Sequence, residues 1–282
     1  MSIIQAIILG LVQGLTEFLP ISSSGHLILV PWLFNWHVLL NNADLNKTFD
    51  VALHLGTFVA VLIYFWHDVT HLLAAWGRSI ARRSIADPES KLAWLLLLST
   101  VPAGVIGVWG EKFIETRLGK PWLIAVAMIL FALVMWVIDR RAYKPRPLET
   151  MGPKGALGIG FAQALALWPG VSRSGVTMMA GMLLKFTREN AARYSFLLTI
   201  PVIGGAAAYK ALKLAHTGLP AGTAMPFAVG TLTAAVSGFA AVWFLIGYLK
   251  THTFRIFIIY RLVVGIAVLA IILSGARSAT GI

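Results

Sequence analysis

The chain has 282 residues, 58% of them hydrophobic and 12% charged, with a mean hydropathy of +0.81. A soluble domain holds about 45–50% apolar and about 25% charged residues, so this chain belongs in a bilayer, and its lack of Cys excludes disulfides, thiolate metal sites and cysteine nucleophiles. The net charge of +12 does not point to nucleic acid, because the basic residues sit in short loops between apolar runs, where the positive-inside bias places them; no nucleic-acid partner is expected.

The opening segment lacks the charged flank and small-residue cleavage site of a leader, so it is expected to belong to the membrane domain. It forms part of an apolar stretch, 3–34, that is interrupted by LPISSSGH at 19–26. Three apolar runs follow at 49–66, 92–110 and 122–138. A second interrupted stretch, 155–184, carries WPGVSRSG at 168–175, and further runs occupy 194–212, 227–249 and 256–274. Roughly 20 residues span a hydrocarbon core of about 30 Å, so the six uninterrupted runs are expected as transmembrane helices. Broken backbone at membrane depth must be buried in protein or line a wet cavity. The two interrupted stretches therefore read as re-entrant helical hairpins. The expected fold is an all-α polytopic membrane protein, a single integral membrane domain over 1–282.

Basic residues orient this layout. Segments 67–91, 139–154, 185–193 and 250–255 hold 14 of the 23 Lys and Arg, which makes them cytoplasmic. Residues 27–48, with a single Lys, then lie outside, and the first interruption opens toward the outer, periplasmic face. A shift of 150 residues carries Gly10, Gln13, Ser22, Ser24 and Gly25 onto Gly160, Gln163, Ser172, Ser174 and Gly175. Two halves, about 1–150 and 151–282, would each hold one hairpin and three spans. An odd number of crossings inverts the second copy, so the hairpins would meet near the midplane from opposite faces. The repeat is short and rich in Gly and Ser, and coincidence is its competing explanation.

Glu17 is the one acidic residue deep within an apolar segment. An ionised carboxylate there needs a partner, so a functional role is the default; a protonated Glu bonded to a neighbouring helix is the bland alternative. Gln13, at i−4, shares its helical face, and oxygen ligands of this kind suit Mg²⁺ or Ca²⁺. Pro20 stops the helix and forces a turn through Ser22, Ser23, Ser24 and Gly25, where hydroxyls and free amides make an anion-binding concavity. His26 could carry a proton, bind metal or attack phosphorus; a packing histidine is its ordinary reading, as it is for His54, which has no such neighbours in sequence. Arg173, between Ser172 and Ser174 with Thr177 one turn on, keeps its charge and offers a planar fork to two phosphate oxygens. An internal salt bridge to Glu17 would explain both charges without a ligand. Together these groups suit an oxyanion beside a hard cation, on a molecule whose long apolar tail stays in lipid.

At these residues the sequence resembles the undecaprenyl-diphosphate phosphatase, or bacitracin-resistance, family over almost the whole chain. The first signature appears as QGLTEFLPISSSGH and the second, PGxSRSxxT, as PGVSRSGVT at 169–177. The resemblance implies hydrolysis of undecaprenyl diphosphate to the monophosphate and inorganic phosphate, carrier recycling for peptidoglycan, a bacterial inner membrane and a divalent cation. On matching positions it assigns Gln13 and Glu17 to the acidic motif, Ser22, Ser23 and Ser24 to the serine loop, His26 to acid–base work, and Ser172, Arg173, Ser174 and Thr177 to the second motif. Many members carry Glu where this chain has Gln13; the neutral ligand removes one negative charge and gives Gln13 no proton-transfer role.

The expected mechanism has Arg173 and the Ser172–Ser174 backbone hold the diphosphate, metal on Glu17 neutralise its charge, and Ser23 attack with His26 as base. Attack by His26 itself or by a metal-bound water fits the same residues. A lipid-phosphate flippase or small-molecule transporter is the rival from another class, and a purely structural membrane protein a third reading. A homodimer is compatible with the sequence.

Overall fold

The computed structural model describes residues 1–36, 42–141, 144–217 and 222–280, with the side chains of 43–44, 111–113, 115–116 and 206–217 outside the description. Among the described residues there are eleven α-helices and no strand. The first, α1 (Ile3–Phe18), starts on a capping box: Ser2 Oγ accepts from the Gln5 amide and the Gln5 side chain accepts from the Ser2 amide. It stops at extended Leu19 because Pro20 has no N–H and disfavours helix in the residue before it. Helix α2 (Ser23–Phe34) ends on Asn35 in the left-handed conformation. Then follow α3 (Ala43–Tyr64), α4 (Trp66–Arg82), α5 (Pro88–Phe113), α6 (Pro121–Asp139), α7 (Pro153–Leu165), α8 (Arg173–Leu183), α9 (Arg188–Thr217), α10 (Ala224–Leu249) and α11 (Arg255–Leu273). Proline at the first position of α6 and of α7 leaves unmade only a hydrogen bond that a helix start lacks anyway.

Each expected span falls on a helix. Five of them, α3, α5, α6, α10 and α11, are long and apolar enough to cross a membrane. The sixth expectation, 194–212, falls in α9, whose side chains beyond 205 lie outside the description, as do residues 37–41 of the expected outer loop. Segment 67–91, expected as a loop, is largely helical: α4 buries Val69, Ala75 and Ser79 and exposes Trp66, Leu73 and Ile80 at seven-residue spacing. Large apolar side chains such as Val108, Trp109 and Leu273 point outward, the inverse of a water-soluble surface and suited to lipid.

Glycines let the helices that carry the site approach their neighbours closely. A side chain at Gly14 of α1 would collide with Ser237 Oγ and lie 2.6 Å from the Ala234 carbonyl of α10. Gly160 of α7, the repeat partner of Gly10, is likewise 2.6 Å from the Ser99 carbonyl of α5, measured from an added Cβ. Thus α1, from the first half of the chain, packs on α10 of the second, while α7 of the second half packs on α5 of the first. Such small-residue contacts are the usual close packing of helices in lipid. Gly14→Ala is expected to lower stability by about 1–3 kcal/mol through overpacking, whereas Gly77→Ala, with nothing within 4 Å of its added Cβ, should be neutral or stabilising. Thermal unfolding of the two variants in detergent, followed by size-exclusion chromatography, checks the contrast.

Candidate active site

Two loops built alike come together at the centre. Ser22 caps α2 and Ser172 caps α8, at φ 79° and 77°, and each hydroxyl accepts from the amide three residues on, Gly25 and Gly175. Positive φ at a non-glycine residue costs about 1–3 kcal/mol and persists where the surroundings enforce it. The enforcing contacts are mutual: Ser22 Oγ also accepts from the Gly170 amide at 3.0 Å, and Ser174 Oγ donates to the Leu19 carbonyl at 3.2 Å. The Ser24 and Ser174 hydroxyls lie 3.5 and 3.2 Å from those of Ser22 and Ser172.

A residue that the sequence argument passed over fastens this junction. Arg261 of α11, fully buried, donates to the carbonyls of Pro20 in the first loop, Gly170 and Val171 in the second, and Met128 in α6, at 2.8–3.3 Å. The signal was present, since a lone arginine in an apolar helix calls for a partner, but its acceptors are backbone atoms that no sequence pattern marks.

Around Glu17 the structure gathers four of the expected residues. Glu17 Oε2 accepts from Ser23 Oγ at 2.6 Å and from Gln13 Nε2 at 3.1 Å, while Oε1 faces Arg173 Nη2 at 3.1 Å. Arg173 Nη1 donates to Thr199 Oγ1 of α9 at 2.6 Å. The salt bridge expected as a bland alternative therefore exists, and Ser23 hangs on it. His54 of α3 joins the cluster, with Nε2 at 3.6 Å from Glu17 Oε2. Neither His54 nor Thr199 carried a local signal, because each reaches the site only through tertiary packing.

His26 does not complete this cluster. Its Nδ1 lies 2.7 Å from the Ser22 carbonyl and its Nε2 2.8 Å from Tyr260 Oη, the two rings stacking at 5.6 Å. A carbonyl only accepts, so Nδ1 holds a hydrogen and donates it to Ser22. The expected pairing of His26 as base with Ser23 is corrected accordingly: both ring nitrogens are engaged elsewhere, and Ser23 donates to Glu17. The physical reason is α1 itself, which turns Gln13 and Glu17 to one side and Ile8, Leu15 and Thr16 to another. The latter, with His26, Phe257 and Tyr260, line an apolar cavity of about 650 Å³. Thr177 is also turned aside, its hydroxyl bonded to the Arg173 and Ser174 carbonyls and to Ser195 Oγ.

A buried carboxylate of α1, with a half-buried hydroxyl at the start of α2 and a half-buried guanidinium at the start of α8 bonded to it, can activate an oxygen nucleophile beside an anion. The family model described as "Bacitracin resistance protein BacA" matches residues 6–267. The chain belongs to this family. Members similar to it include the "Undecaprenyl-diphosphatase" of Pelobacter propionicus, 43% identical over 276 residues, covering 98% of this chain and 99% of that one. That of Desulforudis audaxviator is 44% identical over 95% of this chain and 97% of its own, and the "Undecaprenyl-diphosphatase 2" of Stutzerimonas stutzeri 45% identical over 98% and 100%.

Because Arg261 supplies the donors for both loops, Arg261→Leu is expected to leave the carbonyls of Pro20, Gly170 and Val171 unpaired, at about 1–3 kcal/mol each. Arg261→Lys, which keeps the charge and loses the fork, should fall between Leu and wild type in thermal unfolding in detergent.

Proposed function

We propose that this member of the bacitracin-resistance family hydrolyses undecaprenyl diphosphate to undecaprenyl phosphate and inorganic phosphate, recycling the lipid carrier for the cell wall and conferring bacitracin resistance. The observation that carries the reading is the convergence of Glu17 of α1, Ser23 at the start of α2 and Arg173 at the start of α8, within an apolar bundle whose surroundings can hold a polyprenyl tail.

In this mechanism Arg173 exchanges its bond to Glu17 for the diphosphate, assisted by the Ser172–Ser174 segment at the start of α8, where a helix N-terminus favours an anion. Ser23 attacks the terminal phosphorus as its proton passes to Glu17 Oε2, which already accepts that hydrogen bond at 2.6 Å. Polyprenyl phosphate leaves, and water then displaces the phosphoryl group from Ser23 as inorganic phosphate. Glu17 as base to Ser23 supports serine over His26 as nucleophile, since His26 faces the other cavity. Ser22 and Ser24 shape the loop that presents Ser23.

A divalent cation, Mg²⁺ or Ca²⁺, fits beside Gln13 and Glu17, where Gln13 Oε1 is buried without a hydrogen-bond partner, and there would neutralise diphosphate charge. The inner-membrane setting, a periplasmic opening of the site and a homodimer belong to the same reading; the 14 basic residues of the four inner segments support the orientation. The matched capping serines favour a second reading, in which two inverted hairpins pass lipid phosphate across the membrane.

Purified protein in detergent should release phosphate from a polyprenyl diphosphate in the presence of Mg²⁺ or Ca²⁺. Arg173→Ala and Ser23→Ala should each lower kcat/KM by roughly 10²–10³. Folded wild-type protein that releases no phosphate would shift the assignment to transport, read as movement of lipid phosphate across a vesicle membrane.

A further inference from the structure

His54 Nδ1 lies 2.7 Å from the Asp50 carbonyl, one turn back in α3. That oxygen only accepts, so Nδ1 holds a hydrogen and Nε2 is the ring atom turned away from α3. What Nε2 meets is Glu17 Oε2, at 3.6 Å. Gln13, bonded to the same Oε2 through its Nε2, brings a third donor atom: its Oε1 is buried and unpartnered. A carboxylate oxygen of α1 and an imidazole nitrogen of α3 thus stand 3.6 Å apart, with the Gln13 amide bonded to the same carboxylate oxygen.

A histidine whose second N–H is held by a backbone carbonyl is oriented as metal-ligating histidines are. Two ligand atoms about 2.1 Å from one tetrahedral ion stand roughly 3.4 Å apart, close to the spacing found here. The His54 side chain is 34% exposed. On the far side, Arg173 holds Glu17 Oε1 and leaves Oε2 to the other donors.

We propose that His54 is a third protein ligand of the cation at Gln13 and Glu17, and that it shifts the site's preference from Ca²⁺ toward ions that accept nitrogen, such as Mn²⁺ and Zn²⁺. The inference rests on the proposed cation site and supplies its coordination chemistry. A neutral amide and an imidazole, in place of a second carboxylate, give up charge attraction for a hard ion. They gain a nitrogen bond that strengthens along the series from Mn²⁺ to Zn²⁺.

The test is a titration of substrate-free protein in detergent with Mn²⁺, read by the loss of the free-ion paramagnetic resonance signal. Zn²⁺ and Ca²⁺ are titrated in parallel by calorimetry. One Mn²⁺ should bind per chain. His54→Gln, shown folded by thermal unfolding, should weaken Mn²⁺ and Zn²⁺ by roughly tenfold or more and Ca²⁺ by less than about threefold. Adding Gln13→Glu to His54→Gln should raise Ca²⁺ affinity without restoring Zn²⁺. Mn²⁺ binding that is absent in wild type, or unchanged in His54→Gln, overturns the proposal. Phosphate release measured on the same preparations keeps the two readings apart. Hydrolysis with His54-independent metal binding removes this inference alone, whereas His54-dependent binding without hydrolysis in any metal removes the proposed activity alone.

Discussion

Arg261 carries its charge into the middle of an apolar helix, and among the described residues no carboxylate pairs with it. Its donors go to backbone carbonyls of the first loop, the second loop and α6. In water such bonds would be worth little, because solvent would take either side of them. In a dry interior each carbonyl would otherwise be left bare, and so would the guanidinium, so satisfying the two together leaves the loops little freedom to separate. The positions of Ser22, Ser23, Ser172 and Arg173 depend on this junction, as do the positive φ angles of the two capping serines.

The two loops share a capping serine in one conformation and differ in chemistry. At a spacing of 150 residues, Ser22 matches Ser172 in conformation and in its cap bond, but Glu17 matches Leu167, Pro20 matches Gly170, and Ser23 matches Arg173. One segment supplies the carboxylate and the hydroxyl, the other the cation. A symmetric pair of loops with identical residues would have set like charges against each other at the junction. Glu17 and Ser23 against Leu167 and Arg173 give instead an ion pair with a hydroxyl attached to it.

Much of this was legible in the sequence because it follows short-range rules. The 3.6-residue period puts Gln13 and Glu17 on one face, Pro20 ends α1, and runs of serine before glycine make helix caps. The apolar runs give the spans directly. What sequence proximity misjudged was His26, three residues from Ser23 yet separated from the Glu17 cluster by the body of α1. His54, Thr199, Tyr260 and Arg261 lay beyond such rules: their partners are 26 to 241 residues away, and several are main-chain atoms without sequence identity.

The Glu17–Arg173 pair sets how an anion can enter. Removing one partner of a buried ion pair is costly because the other is left charged and bare, so a diphosphate must replace Glu17 on Arg173 without stranding either group. The surrounding bonds meet that requirement. Arg173 keeps Thr199 through Nη1 while Nη2 changes partner, and Glu17 keeps Ser23 and Gln13 on Oε2 while Oε1 is released. In the proposed mechanism the exchange would substitute one anion for another at the guanidinium and leave a carboxylate already bonded to the hydroxyl that it would deprotonate. Binding the phosphate and freeing the base are in this arrangement the same movement.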